Sequence, residues 1–164
     1  MATGSLGQGF AAACGMAHWG KKKGKKYQVY TILGDGEIQE GIVWEAAMGA
    51  GHFKLDHVTA FLDNNNLQID GNVDEVMSVY PVKEKFRAFG WEVFEADGHN
   101  IQELLAAEEC ARNTEGKPSI IICKTVKGKG VSFMENQAGW HGASMNEEQF
   151  EQALSDLDGG ESKL

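Results

Sequence analysis

Two short polar clusters carry most of the chemistry this chain could do. Gly34-Asp35-Gly36 follows the apolar, β-branched run 29–33, and Asn64-Asn65-Asn66 follows a second such run, 58–62, with 27 residues between the clusters. An aspartate carboxylate and an asparagine amide oxygen make a hard oxygen donor set. It suits Mg²⁺ or Ca²⁺ and lacks the thiols and imidazoles that zinc prefers. The glycines flanking Asp35 let backbone approach an anion closely, and a helix that follows points its N-terminus at the same place. A diphosphate carried with its metal matches that combination. Read singly, one cluster is a tight turn and the other a polar loop; they form a site only if the fold joins them.

The elements between them predict that it does. Residues 38–50 are apolar on most faces, Glu40 and Glu45 excepted, and read as a buried helix stopped near Gly49 and Gly51. A strand–helix–strand crossover makes its two strands parallel, so both carboxyl ends share one edge of the sheet. Open α/β sheets bind ligands along that edge. Downstream, helices over 82–89 and 101–114 alternate with strands over 91–96 and 119–123. Upstream, 6–19 reads as a small-residue helix that packs closely on its neighbours, preceded by the glycine-rich segment Thr3–Gly9. Residues 146–157 form an acidic amphipathic helix. The expected fold class is α/β, an open, mostly parallel sheet flanked by helices, as one domain over 1–157 with a frayed tail at 158–164.

Composition excludes several functions. At 164 residues, 42% hydrophobic and 24% charged, the chain is neither disordered nor fibrous. Twenty-four acids against fifteen Lys and Arg give a net charge of −9, which argues against nucleic acid or an anionic membrane as the main partner. No apolar run reaches the length of a membrane span, and a cytoplasmic protein is expected. Cys14, Cys110 and Cys123 lack metal-ligand spacing and read as reduced core thiols. The lysines between 21 and 26 read as a solvated turn. The segment 15–21 has P-loop spacing, but Lys22 stands where Ser or Thr must hold the metal, and the segment precedes its strand. No Gly-x-Gly-x-x-Gly follows a strand, which removes a nicotinamide-binding reading. His18, His52 and His57 read as structural or surface residues. His99 follows a strand and lies at the ligand edge, where it is expected to stabilise a turn; Lys127 and Lys129 fall on that edge too.

The polar clusters and their surroundings resemble the transketolase family. Gly34-Asp35-Gly36 followed by Asn64-Asn65 is similar to the thiamine diphosphate fingerprint. The segment from Gly34 to Gly41, Trp44-Glu45-Ala46, Asp63 to Asn66 and Ile69-Asp70-Gly71 resembles transketolase, as do Thr3 to Gly9, Asp97-Gly98-His99, Thr125 to Gly130 and His141-Gly142. The resemblance spans about 3–157 and is to the amino-terminal, pyrophosphate-binding domain or subunit. It implies that Asp35 and Asn65 ligate Mg²⁺ (or Ca²⁺) through side-chain oxygens and Leu67 through its backbone carbonyl. It places Gly34, Gly36 and Glu37 at the diphosphate, and Gly4, Ser5 and Leu6 along the cofactor's rings. His141 resembles the histidine that contacts the diphosphate and reaches the substrate. Glu40 and Glu45 resemble carboxylates of a subunit interface.

The same resemblance implies two-carbon ketol transfer from a ketose phosphate to an aldose phosphate. The glutamate that activates the cofactor belongs in this family to a pyrimidine-binding domain, so a C-terminal subunit carrying that domain is expected, in a homodimer or heterotetramer, and the chain alone is expected to be inactive. Family members carry a further segment, including a strand of the sheet, ahead of Thr3–Gly9, and a sheet lacking that strand is expected to show an open edge or an uncovered face. Alternatives are an inactive cofactor-binding module and another thiamine diphosphate enzyme, such as a deoxyxylulose-phosphate synthase or an oxo-acid dehydrogenase.

Overall fold

The computed structural model describes residues 3–160. Four parallel strands form one sheet in the order β1-β2-β6-β5: β1 (Val29–Gly34), β2 (Val58–Asn64), β5 (Glu92–Asp97) and β6 (Ser119–Lys124). A small antiparallel hairpin, β3 (Leu67–Gln68) with β4 (Gly71–Asn72), follows β2 at its carboxyl end and leads into the short helix α3 (Val73–Met77). The fold class is therefore the expected one.

Alternation along the strands explains the two layers. On one face, Leu33 of β1, Val58, Ala60 and Leu62 of β2, Val93 of β5, and Ile120 and Ile122 of β6 meet three helices. These are α1 (Gln8–Lys22), α2 (Gly41–His52) and α4 (Val82–Ala88), through Phe10, Val43, Ala47 and Phe86. On the other face Ile121 and Cys123 meet α5 (Ile101–Arg112) through Ala107 and Ala111. Strand β6 is covered on both faces, which is why its sequence is a continuous apolar run. Trp91 fastens α2 to the start of β5: its indole N–H donates to the buried Ala47 carbonyl at 2.8 Å.

β1 lies at the end of the sheet order, and its outer edge carries no partner strand among the described residues. Tyr30 and Ile32, which alternation turns toward the α5 face, are exposed, Ile32 at 76%.

Several local expectations change. Residues 38–50 are not one helix. A 3₁₀ turn, Glu37–Gln39, is followed by extended Glu40 (φ −68°, ψ 130°), and α2 begins at Gly41. Nor do Gly49 and Gly51 stop α2, which runs to His52. Gly51 is there for packing, since a Cβ would stand 1.8 Å from the Phe89 carbonyl oxygen. The small-residue helix begins at Gln8 instead of residue 6 and runs on to Lys22, so two of the lysines are helical. The C-terminal helix α6 (Glu147–Gly160) continues past 157; the expected frayed tail from 161 onward lies outside the described residues. Cys110 is exposed, unlike the core thiols Cys14 and Cys123, which burial pushes up to about 12 and about 11.

Candidate functional site at the carboxyl edge

Parallel pairing of β1 with β2 places Gly34 opposite Asp63, so the turn after β1 sits directly beside the asparagine run after β2. The Asp35 N–H continues the ladder by donating to the Asp63 carbonyl at 3.2 Å. The Asp35 side chain is 2% exposed. Its Oδ1 accepts the Gly36 N–H at 2.8 Å, and its Oδ2 accepts the Asn66 N–H across the two strands. Burial pushes this carboxyl up from its ordinary value. The N–H groups of Asn66 and Gly36 pull it back, the charge of Asp63 adds to the rise, and the net direction is upward. Among the described residues, no ion pair reaches it.

Asn65 closes a local turn in which its Oδ1 accepts the Leu67 N–H at 2.9 Å, leaving that oxygen a second lone pair. Its Nδ2 donates to Asp63 Oδ1 at 3.2 Å. Asn66 takes the left-handed backbone (φ 61°) that asparagine tolerates better than most residues, and it pins the hairpin to the helix that follows. Its Oδ1 accepts the Asp74 N–H at 3.2 Å. The cross-strand hydrogen bond to Asp35 thus comes from the backbone of Asn66, while Asn65 lines the cavity.

Leu6, Gly34, Asp35, Gly36, Glu37, Asn65, Leu67 and His141 line one cavity of about 410 Å³. Gly4 and Ser5 are exposed and do not line it; the carboxylates Glu40 and Glu45 are exposed too, and neither is a lining residue of this cavity. Glu45 instead borders an apolar groove between α1 and α2, with Ala11, Gly15, Ile42 and Gly49. His141 ends a 3₁₀ turn (Ala138–His141), and its Nδ1 lies 3.4 Å from Lys127 Nζ. Lys127 lines the same cavity, whereas Lys129 lies on the neighbouring one, where it pairs with Glu135 at 3.5 Å. His99 does stabilise a turn: its Nε2 accepts the Val126 N–H at 2.8 Å, holding the loop that carries Lys127.

Sequence reasoning missed Gln68. Its Oε1 is buried with no hydrogen-bond partner among the described residues, and it lies on the cavity wall. A Cβ on Gly36 would stand 3.1 Å from the Gln68 Cβ, so glycine is what lets the turn and the hairpin approach. No spacing rule marks Gln68; only the hairpin brings it to Gly36.

A metal-bound diphosphate needs oxygen ligands for the cation, backbone that approaches closely, and nearby cationic or donor groups. The buried Asp35 carboxylate, the Asn65 amide oxygen, the glycine turn, Lys127 and His141 meet those needs in kind. The orphaned Gln68 oxygen marks an acceptor that the chain itself leaves unsatisfied.

Residues 1–160 match the family described as transketolase, thiamine diphosphate binding domain. The chain belongs to that family. It is 48% identical to the 6-deoxy-6-sulfo-D-fructose transketolase subunit SqwG of Clostridium sp., over 96% of this chain and 58% of that protein. It is 40% identical to an apulose-4-phosphate transketolase subunit of Phocaeicola vulgatus, over 94% of this chain and 55% of that one. The chain therefore spans little more than half the length of these two relatives. The crystal structure of transketolase from Campylobacter jejuni superposes with a TM-score of 0.91 at 38% identity, covering 96% of this chain and 26% of that one. Membership makes this a thiamine diphosphate-binding domain of a transferase family. Among the described residues, no helix is long and apolar enough to cross a membrane.

Proposed function

We propose that this chain binds Mg²⁺ and thiamine diphosphate at the carboxyl edge of its sheet. Its role is that of the N-terminal subunit of a transketolase, which moves a two-carbon ketol unit from a ketose phosphate to an aldose phosphate. The observation that carries the reading is Asp35, a buried carboxylate without a cation of its own, joined across β1 and β2 to the asparagine run in a cavity shared with His141. An uncompensated buried charge is costly, by several kcal/mol in general, and a bound cation removes that cost.

Asp35 and Asn65 are the side-chain ligands in this proposal and Leu67 the backbone ligand. Gly34 and Gly36 keep the approach to the diphosphate open, Lys127 offsets its charge, and His141 contacts it from the rim. Leu6, with Gly4 and Ser5 before it, faces the ring portion. When bound, thiamine diphosphate supplies the nucleophilic carbon on which the two-carbon unit is carried. The protein's share is to hold the metal and diphosphate, orient the ring and exclude water. His141, at the rim, is the residue of this chain proposed to meet the substrate.

A second chain carrying the pyrimidine-binding domain completes the enzyme. The two relatives named as transketolase subunits support a partner of that kind. Exposed Glu40, and Glu45 at the apolar groove between α1 and α2, are proposed to face a neighbouring subunit in a homodimer or heterotetramer. The proposed location is the cytoplasm.

Calorimetric titration with thiamine diphosphate, in Mg²⁺ and then in a chelator, tests the reading. Metal-dependent binding is expected; binding that ignores the chelator would overturn the metal assignment.

A further inference from the structure

Glu37 lines the cavity, yet both of its carboxylate oxygens are already engaged by the chain's own backbone. Oε1 accepts the Gly7 N–H at 2.8 Å, and Oε2 accepts the Gly34 N–H at 3.1 Å. The first bond crosses thirty positions of sequence to the glycine that begins α1. Gly7 is left-handed (φ 76°), and a Cβ there would stand 2.6 Å from Ile42 Cγ2, so the segment before α1 is pressed against the first turn of α2. Among the described residues, Glu37 provides the one hydrogen bond from segment 3–7 to anything beyond itself and α1.

The second bond has a different origin. The Val29 and Asp35 N–H groups donate toward β2, to His57 and Asp63. By alternation, the N–H groups of Tyr30, Ile32 and Gly34 point toward the unpaired edge. Glu37 Oε2 therefore stands where the carbonyl of a further strand would stand at the last rung of that edge. One carboxylate satisfies an orphan strand donor and an orphan helix-start donor together, each with its own oxygen.

We propose that Glu37 is a positioning residue: it holds segment 3–7 against the Gly34–Gly36 turn and does not ligate the cofactor itself. The proposal rests on the cofactor reading above. Leu6 sits on the cavity wall only while Gly7 is held, so the clamp sets how segment 3–7 meets the ring portion of thiamine diphosphate. It bears less on the diphosphate, which Asp35, Asn65 and the glycine turn receive.

Two measurements on Glu37→Gln test this. The amide keeps the volume but turns an NH₂ donor toward one of the two backbone N–H groups. Hydrogen exchange at the Gly7 and Gly34 amides of the cofactor-free chain is expected to rise about tenfold; unchanged exchange overturns the clamp. Calorimetry on the native assembly then uses two probes. Affinity for Mg²⁺-thiamine diphosphate is expected to fall about tenfold, and affinity for Mg²⁺ with inorganic pyrophosphate by less than twofold. Equal losses for both probes overturn the positioning role, because general loosening of the fold would lower both. Glu37→Asp, which keeps the charge but loses a methylene of reach, is expected to reproduce the ring-selective loss; wild-type affinity for both probes in that variant overturns the proposal. If the unsubstituted assembly binds neither probe, the cofactor reading has failed and the positioning role falls with it, while the exchange rates still decide the clamp.

Discussion

At the amino end of the sheet, Asp56 joins three connections. Its Oδ1 receives Lys21 Nζ from the end of α1 at 3.0 Å, and its Oδ2 accepts the Gly116 N–H ahead of β6 at 3.0 Å. Burial works against this carboxylate, but the Lys21 ammonium and the Gly116 N–H outweigh it and hold it below its ordinary value. At the carboxyl end, Asp35 plays the same bridging part between β1 and β2, again through backbone N–H groups, but with no ammonium beside it and with its carboxyl pushed up. Both aspartates hold connections together. The difference is that the amino end balances its charge internally, whereas the carboxyl end leaves an almost fully buried charge for something else to balance. Buried Gln68 Oε1 adds an unmet acceptor on that side. The amino end has an orphan of its own in Gln28 Oε1, but that amide still reaches His57 Nδ1 through Nε2 at 3.3 Å.

The contrast breaks most directly at the two aspartates. Asp35→Ala is expected to lower Mg²⁺-dependent thiamine diphosphate affinity at least about a hundredfold, since it removes the only carboxylate proposed as a ligand. Its effect on stability should be small: two N–H groups lose their acceptor, but a buried charge is removed with it. Calorimetry and thermal denaturation read the two effects separately, and unchanged cofactor affinity would sink the contrast. Gly51→Ala attacks the other end, where the added methyl meets the Phe89 carbonyl oxygen and not a flexible side chain. A loss of about 2–3 kcal/mol in stability is expected, measured by denaturant unfolding, without a specific change in cofactor affinity.

Much of this division was legible beforehand. The β-branched runs 29–33 and 58–62 gave the strands, their crossover gave a shared carboxyl edge, and Asp35 with Asn65 lay at the matching ends. Long-range partners were not legible. Nothing local marks Lys21 as the counter-charge of Asp56, so it read as one more solvated lysine. Glu37 read as a residue of the site, because its partners Gly7 and Gly34 are chosen by the docking of α1 and the open edge of β1. The hairpin at 67–72 is too short for periodicity to reveal, and it is what delivers Gln68. Glu40 and Glu45 read as interface carboxylates, and both are exposed in the single chain, where no partner stands beside them to test that reading.

Asp56 also fixes a sign for acid unfolding. Its folded-state value lies below the unfolded one, about 3.9. The stabilisation it provides is therefore present above that pH and is lost as pH falls through the folded value. Asp56→Asn should cost about 1 kcal/mol at neutral pH, less than a fully buried pair would because Asp56 is partly exposed. It should also flatten the acid limb of a stability-against-pH curve below about pH 4. An acid limb as steep as that of the unsubstituted chain would mean that Lys21 and Gly116 do not hold Asp56 in solution.

The smallest expected effect sharpens the contrast within the carboxyl end itself. His99 touches no residue proposed to ligate the metal or hold the diphosphate; its Nε2 accepts from Val126, the Asp97 carboxylate accepts the His99 N–H at 2.9 Å, and the loop beyond carries Lys127 toward His141. His99→Ala removes one side-chain hydrogen bond at an exposed position, so stability should fall by no more than about 1 kcal/mol. Freed at Val126, the loop should let Lys127 move away from the cavity, lowering affinity for Mg²⁺-pyrophosphate about threefold while hydrogen exchange at the Asn66 amide, which Asp35 holds, stays as it was. That pattern would separate the two supports of the carboxyl end. Asp35 would hold the floor of the cavity through β1 and β2, and His99 would set only the wall that offsets the anion's charge. Faster exchange at Asn66 in His99→Ala would show instead that wall and floor move as one unit.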